Sequence, residues 1–365
     1  MRSITKIFVA PAILLLLLSL SAEPRLRKPV DPVGFATRSW QMDSIVKRIT
    51  RLQQRKITEA FDANGIRKFT SWKLAISPHD DYSYAGWVYP AVLSNVKAGT
   101  VIILGVAHKA KKFGIEDKMV FDNYEYWQSP YGPVKVSGLR EVIMNKLPRS
   151  TYMVSDSLMD SEHSVEALIP FLQYYNKNVE IIPILIPPMS YATMKSLAGT
   201  LASALYGLSE YNSADLRIGR DFAIVVSSDA VHYGCEGWGG SNYAFYGCDT
   251  AGYYKAVAHD FDIIRSSLTG SVTENKVKTF NSFVLSDTNY HDYKWTWCGR
   301  YSVPFGLLTL MQLEIQLRSK PSEGVLIGYS TSYAEKPIPV TDLKMGVTAG
   351  ASVKHWVGFA GVGYR

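Results

Sequence analysis

Five polar clusters of the sequence contain residue types that bind metals or move protons. Four of them lie where apolar runs end or beside a late helical segment, and they contain His79, His108, Asp229 with His232, and Cys298 with Arg300. Imidazole nitrogen and thiolate sulfur suit zinc, copper and iron, so His79, His108 and Cys298 form a candidate metal-binding set. A single histidine at a strand end is more often structural, but several at equivalent places favour a shared site.

Asp229 and His232 are the candidate catalytic residues of the SSDAVH segment. An imidazole titrates near neutral pH and can transfer protons, and a neighbouring carboxylate can act as a base. Cys298 should ionise easily, because a helix start and Arg300 both stabilise a thiolate. The alternative is a buried, inert cysteine.

The fifth cluster is SEHSVEALIPFL, residues 161–172, and it contains Glu162, His163 and Glu166. The spacing favours a helix start that is capped by Ser161 and needs no chemistry. The functional alternative places His163 beside the metal, as a ligand partner or a proton carrier.

The elements that must position these residues follow a repeated β-α-β order. Four apolar runs rich in Val and Ile predict strands buried on both faces: 73–77, 100–108, 179–188 and 221–232. Helices are predicted at 137–147, 163–176, 194–208 and 304–318. The order predicts one three-layer α/β domain with a mostly parallel central sheet, spanning residues 23–365. The polar clusters should then meet at the carboxyl ends of the strands.

Composition limits the class of protein. With 47% hydrophobic and 19% charged residues in 365, the chain is globular and not disordered. The net charge is +7, but the basic residues are scattered, which is weak evidence for a nucleic-acid partner. We therefore expect no nucleic acid and a small-molecule substrate.

The N-terminus has the pattern of a secretory signal peptide. Two basic residues precede an apolar run that ends near Leu20, and small residues follow. Residues 1–22 are therefore predicted to be cleaved after Ser21 or Ala22, which exports the mature chain to a periplasm or the medium without a membrane span. An uncleaved N-terminal anchor is the alternative.

Three cysteines in an exported chain leave one unpaired. Cys235 and Cys248 lie in one Gly- and Tyr-rich loop and could form a disulfide, which leaves Cys298 as the odd thiol. Two free thiols in the loop are the alternative, since spacing alone does not fix the pairing.

Taken together, five motifs resemble the Memo family, also called the AmmeMemoRadiSam system protein B family. They are SPHDDYSYAG, ILGVAHK, EHSVEALIPFL, VVSSDAVHYG and CGRYSVPFGLL, in the family's order. The resemblance implies the α/β sandwich of the class III extradiol dioxygenases, which are non-haem iron enzymes. It also implies His79, His108 and Cys298 as metal ligands, and His232 as the acid/base histidine. A functional link to radical-SAM and AMMECR-type proteins is implied by the family alone.

The sequence departs from the family pattern near the implied ligands. The usual His-Ala-Gly-Tyr is His-Asp-Asp-Tyr at 79–82, which adds two carboxylates; Lys109 replaces the second histidine of a pair, and Tyr301 stands where the family usually has histidine. These changes leave the ligand triad intact but weaken any inference about the substrate. Asp81, Tyr82 and Arg300 are the candidate substrate-binding residues, although alternating aromatics after a strand more often pack in the core.

Three functions are open at this point. The first is an iron- or copper-dependent oxidoreductase of the dioxygenase type with one metal ion, for which iron is favoured. The second is a zinc-dependent hydrolase, in which zinc activates water and Asp229 or His232 is the base. The third is a non-catalytic module that binds phosphopeptides, as family members are also described to do.

Overall fold

The computed structural model describes residues 23–208 and 216–365. The predicted leader, residues 1–22, lies outside the described residues. No helix in the described part of the chain is long and apolar enough to cross a membrane.

The described residues form thirteen strands and eleven α-helices. The strands are β1 (Leu26–Arg27), β2 (Leu74–Ser77), β3 (Thr100–Val106), β4 (Met119–Phe121), β5 (Tyr126–Trp127), β6 (Val134–Lys135), β7 (Tyr152–Val154), β8 (Glu180–Ile186), β9 (Phe222–Ser227), β10 (His232–Gly234), β11 (Gly270–Ser271), β12 (Glu323–Thr331) and β13 (His355–Tyr364). The helices are α1 (Ser39–Ala63), α2 (Tyr82–Ala85), α3 (Val88–Leu93), α4 (Ala110–Phe113), α5 (Leu139–Lys146), α6 (Asp156–Met159), α7 (Ile169–Tyr175), α8 (Tyr191–Tyr206), α9 (Thr250–Ile263), α10 (Glu274–Val284) and α11 (Ser302–Gln316).

A ten-stranded sheet forms the middle of the structure, with the order β11-β12-β13-β2-β9-β3-β8-β4-β7 and with β10 paired to β13. Its core, β2-β9-β3-β8, is parallel, as the four apolar runs predict. The whole sheet is mixed and not mostly parallel, because β11, β12 and β13 pair antiparallel to their neighbours and β4 is antiparallel to β8, although it is parallel to β7. The prediction missed these flanks because antiparallel neighbours need no crossover helix and so leave no β-α-β pattern.

Both faces of the sheet are buried under helices. Alternate residues of a strand point to opposite faces, so Leu74 and Ile76 pack with α8 and α11, whereas Ala75 packs with α1, α3 and α7 on the other face. The same alternation continues along β3, β8 and β9. This gives the predicted three layers.

Three of the four predicted helices lie where expected, but the fourth begins later. The pattern predicts a helix from 163, whereas α7 begins at Ile169. Pro170 lies in the first turn of α7, where its missing N–H is tolerated. The hydroxyl of Ser161 donates to the carbonyl of Leu158 and does not cap this helix. The preceding EHS segment is therefore a loop, and its polar side chains are available to the site.

The N-terminal strap, residues 23–38, lies across this loop. Its β1 pairs in parallel with β5, which belongs with β6 to a separate three-stranded sheet. Arg27 is buried, pairs with Glu166 and packs 4.1 Å above the Trp127 ring. It also donates to the carbonyls of Met159 and Glu162, at 2.9 and 2.5 Å. The strap thus fixes the loop that follows α6.

Candidate metal centre

Three neighbouring strands of the parallel core place polar residues at one edge of the sheet. His79, His108 and Asp229 each lie two residues beyond the end of β2, β3 and β9, respectively. Because these strands are adjacent and parallel, their carboxyl ends meet at one crevice. This convergence is the arrangement that the strand pattern predicts.

Cys298 reaches the same crevice from the segment before α11. Its backbone N–H donates to the carbonyl of Ala230, at 3.3 Å. The next residue, Gly299, donates to the hydroxyl of Ser228, and a Cβ at Gly299 would lie 2.2 Å from that oxygen. Glycine after Cys298 is therefore required for close approach of the two chain segments.

The Sγ atom of Cys298 lies between two imidazoles. It is 3.1 Å from Nε2 of His108 and 3.4 Å from Nε2 of His79. Potential ligand atoms of these three residues all lie within 4.8 Å of one another. The structure therefore brings together the three residues predicted as metal ligands.

The tautomer of His79 follows from its hydrogen bonds. Nδ1 is 2.8 Å from the hydroxyl of Ser227, and that hydroxyl donates its single proton to the carbonyl of Ser164. The hydroxyl must therefore accept from Nδ1–H, so Nε2 is the nitrogen that would bind a metal ion. Nε2 also lies 3.3 Å from Oδ2 of Asp229; burial opposes the charged imidazole, but Asp229 and Cys298 outweigh burial and raise the pKa of His79.

The orientation of His108 is set by Glu162. Oε1 of Glu162 is 2.8 Å from Nδ1 of His108, and Oε2 accepts the backbone N–H of the same residue. The carboxylate also accepts the backbone N–H groups of His163 and Ser164. Burial opposes its charged form, but His108 and these donors outweigh burial and lower the pKa of Glu162 strongly.

The surroundings of Cys298 favour the thiolate form of its side chain. Burial disfavours the charge, but His108 and His79 outweigh it and place the pKa of the thiol well below its ordinary value. The pKa of His108 is raised well above its ordinary value, because Glu162 and Cys298 outweigh the effect of burial. A metal ion would replace the protons of such a pair, since ligands bind metals in their deprotonated form.

Asp229 and His232 lie on the other side of Cys298, and the three form a second cluster of potential ligands. Oδ1 of Asp229 accepts the backbone N–H of His79 at 2.9 Å, and Oδ2 is 3.9 Å from Nε2 of His232. Burial opposes protonation of His232, but Asp229 and Cys298 outweigh it and raise its pKa to about 10. The predicted acid/base pair is thus in contact with the ligand cluster.

His163 forms the third side of the site. Its ring stacks on His108 with centroids 5.1 Å apart, and it lies 5.7 Å from the ring of His79. Burial and the charge of His108 lower the pKa of His163 to about 4. Its Nδ1 is 4.0 Å from Asp31 of the strap. His163, Glu162 and His108 are a further potential ligand set, so the EHS loop belongs to the site.

The structure places Asp81 and Tyr82 away from the cluster. Tyr82 is completely buried, and its hydroxyl donates to the carbonyl of Ala167. Asp81 is also buried and accepts the backbone N–H of Thr348 at 2.6 Å. Both side chains are buried and engaged within the protein, so neither is accessible to a substrate. Asp80 belongs to none of the potential ligand sets among the described residues, and burial with Asp229 raises its pKa to about 8.

Arg300, by contrast, lines an open cleft of about 600 Å³ that His108 and Cys298 also line. Its guanidinium lies 3.5 Å from the ring centroid of Tyr293. Cys235 and Cys248 form a disulfide that closes the neighbouring loop.

Two functional positions were not predicted from the sequence: Glu162 as the partner of His108, and Ser227 as the partner of His79. Ser227 carries no sequence signal beyond its place at a strand end. Glu162 was noted in the EHS cluster, but the capping interpretation was favoured for it.

Comparisons with known proteins give one family. The family model described as Memo-like protein matches residues 46–338. A MEMO1 family protein of Pyrobaculum arsenaticum is 34% identical over 165 residues, which are 43% of this chain and 52% of that protein. A MEMO1 family protein of Methanothermobacter thermautotrophicus is 28% identical over 166 residues, or 44% and 54% of the two chains. The match spans about half the length of these curated relatives.

Proposed function

Because the chain belongs to the Memo-like protein family, we propose that it is a metal-dependent oxidoreductase of the dioxygenase type that acts on a small molecule. The observation that carries this proposal is the position of Cys298, whose sulfur lies within 3.4 Å of Nε2 of both His79 and His108. We propose one iron ion in this site, with copper as the alternative redox metal.

The potential ligand atoms of these residues are of the types that bind iron and copper. Two imidazole nitrogens and a thiolate converge, and the other nitrogen of each imidazole is held by Ser227 or Glu162. Metal-binding histidines usually have such a second partner, because it fixes the tautomer and the ring orientation. Bound iron or copper would supply one-electron redox chemistry and a Lewis-acidic centre for a substrate oxygen.

The proton transfers of the reaction are assigned to His232 and Asp229. Nε2 of His232 is buried and has no hydrogen-bond partner among the described residues. Because the pKa of His232 is raised to about 10, its imidazole is protonated near neutral pH and can give a proton to a substrate beside the cluster. Asp229 stabilises the protonated imidazole from 3.9 Å. His163, with its lowered pKa, is a neutral wall of the site near neutral pH and a candidate proton acceptor.

We also propose that the mature chain is exported, on the basis of the signal-peptide pattern in residues 1–22. A functional link to radical-SAM and AMMECR-type proteins is proposed on the family relationship alone. The proposed export is tested by determining the N-terminal sequence and the compartment of the expressed full-length chain. A cytoplasmic, uncleaved chain would contradict it.

Elemental analysis of the full-length protein, purified without oxygen, tests the metal assignment. We expect near-stoichiometric iron or copper, which is lost in His79→Ala and in Cys298→Ala. His259→Ala is the matched control, since His259 packs against Trp295 outside the cluster. If the control retains metal and the other two lose it, oxygen uptake with catechols is the assay of activity.

Two results would contradict this proposal. Stoichiometric zinc without iron or copper would turn the assignment toward hydrolysis, with Asp229 or His232 as the base. A folded protein without metal would remove both enzymatic assignments and favour a binding module.

A further inference from the structure

We propose that the cleft beside the ligand cluster is a binding site for a small carboxylic acid, whose carboxylate is bound by Arg300. This inference rests on the proposed function in one respect: it takes the cleft as the substrate site of the metal centre. Binding of an acid to the cleft can be measured without metal, so the two proposals can fail separately.

The first observation is an unsatisfied donor. Nη1 of Arg300 is buried and has no hydrogen-bond partner among the described residues. Guanidinium groups only donate hydrogen bonds, and a buried donor without an acceptor is unfavourable by about 1–3 kcal/mol, or more when charged. A bound anion would supply the missing acceptor.

The second observation is that the Arg300 side chain is held in place by aromatic rings. Its guanidinium lies 3.5 Å from the ring centroid of Tyr293 and 5.0 Å from that of Tyr301. The Tyr293 ring packs on Tyr243, at 6.2 Å, and Tyr243 packs on Trp238, at 6.0 Å. A stacked, planar guanidinium keeps its edge free for two parallel hydrogen bonds, which matches a carboxylate.

The loop closed by the Cys235–Cys248 disulfide supplies two of these rings, Trp238 and Tyr243, which lie behind Tyr293. Within it, Trp238 stacks on His355 at 4.2 Å and lies 5.2 Å from the ring of His232. Nε1 of Trp238 is a second buried donor without a partner among the described residues. The loop therefore links Arg300 to the acid/base histidine.

Four charged side chains line the cleft besides the candidate metal ligands. Lys111 and Arg300 are cationic, and Glu116 and Asp292 are acidic. Glu116 lies 3.8 Å from Nε2 of His291, and Asp292 accepts from Asn289; both partners belong to the same lining. The preference for an anion therefore rests on the unsatisfied donor of Arg300 and not on an excess of positive charge.

The position of Arg300 would place a bound carboxylic acid beside the candidate metal ligands. Arg300 is two residues from Cys298, and both line the cleft with His108. A carboxylate held at Arg300 would direct the rest of a short molecule toward His108 and Cys298. One guanidinium matches the single charge of a carboxylate better than the double charge of a phosphate monoester.

Isothermal titration of the full-length protein with benzoate tests this proposal, with benzamide as the neutral isostere and phenyl phosphate as the doubly charged one. Titrations are made on the protein as purified and after metal removal. We expect benzoate to bind at least about tenfold more tightly than benzamide in both states. We expect Arg300→Met, which keeps an unbranched apolar stem but removes the guanidinium, to abolish this preference, and Arg300→Lys to restore part of it. Arg67→Met, on an exposed loop far from the cleft, is the matched control and should leave benzoate binding unchanged.

Three outcomes would overturn the proposal, provided that thermal unfolding shows each variant to be folded. The first is no saturable benzoate binding below about 10 mM. The second is equal affinity of Arg300→Met and the unaltered protein for benzoate. The third is tighter binding of phenyl phosphate than of benzoate, which would assign the cleft to phosphate esters.

Discussion

Glu162 contacts the ring nitrogen of His108 that does not face Cys298. Its Oε1 lies 2.8 Å from Nδ1 of His108, while Nε2 of the same ring lies 3.1 Å from the sulfur of Cys298. The carboxylate, the imidazole and the thiolate are thus in one line of contacts. A carboxylate behind a metal-binding histidine raises the basicity of the ligand and fixes its orientation.

Glu162→Gln should lower metal affinity by about 10- to 100-fold, because the amide can no longer stabilise a positively polarised His108. Competition with a chromophoric chelator measures the affinity. Glu314→Gln is the matched control, since Glu314 is a buried glutamate that accepts from Ser322 elsewhere. Unchanged metal affinity in Glu162→Gln would show that the contact has only a structural role.

Ser227→Ala should weaken metal binding by about tenfold, because Nδ1 of His79 loses its acceptor and both tautomers become populated. The same competition assay applies. Ser267→Ala removes a buried hydroxyl that donates to Ile263 in a remote helix, and it should leave the affinity unchanged. Equal effects of the two substitutions on metal affinity would show that the hydrogen bond between Nδ1 of His79 and Ser227 does not control metal binding.

Arg27→Met should destabilise the fold by about 3–5 kcal/mol, because it leaves the Glu166 carboxylate buried without its partner. Chemical denaturation measures the free energy of unfolding. The double variant with Glu166→Gln should recover part of the loss, since the unpaired charge is then absent. A loss below about 1 kcal/mol in Arg27→Met, as is typical of exposed pairs, would mean that the strap is not packed as described.

Asp260 should make stability depend on pH in the acidic to neutral range. Burial raises the pKa of its carboxyl to about 7, although Trp295 and Tyr329 donate to it. The unfolded value is about 3.9. The folded state therefore favours the protonated form, and the resulting stability is fully present below about pH 4 and is lost as pH rises through about 7.

Asp260→Asn should remove this dependence. Relative to the variant, the unaltered protein should lose roughly 4 kcal/mol between pH 4 and 7, taking about 1.4 kcal/mol for each pKa unit. Thermal unfolding of both proteins across this range measures the difference. If the stability of the unaltered protein and that of Asp260→Asn changed with pH in the same way, the pKa of Asp260 would not be raised.

The parallel core and its edge could be predicted because their signals are local. Runs such as 100–108 consist mainly of Val, Ile and Leu and end in a polar residue, and such runs pair side by side. The antiparallel flanks could not be predicted in the same way. Strands β12 and β13 are separated by residues 332–354, and their pairing depends on contacts that lie far apart in the sequence.

The errors near the site have a similar cause. Tyr82 follows the candidate ligand His79 by three residues, but the short helix α2 turns its ring into the core against Phe171. The Ser161 pattern matches a helix cap, yet Glu162 accepts the N–H groups of the loop itself. Short motifs of this kind are locally compatible with either a structural role or a role in the site, and tertiary contacts decide which role each side chain has.

The sequence by itself identified the candidate metal ligands, His79, His108 and Cys298, and indicated that parallel strands would bring the histidines to one edge. Only the tertiary structure decided how these groups are held. Glu162 and Ser227 fix the two imidazoles, and the rings of Tyr293 and Tyr301 pack against Arg300. These contacts join residues as many as 148 positions apart, such as His79 and Ser227. Orientation, burial and charge at a site arise from such distant pairs, whereas local patterns specify only which residues are available.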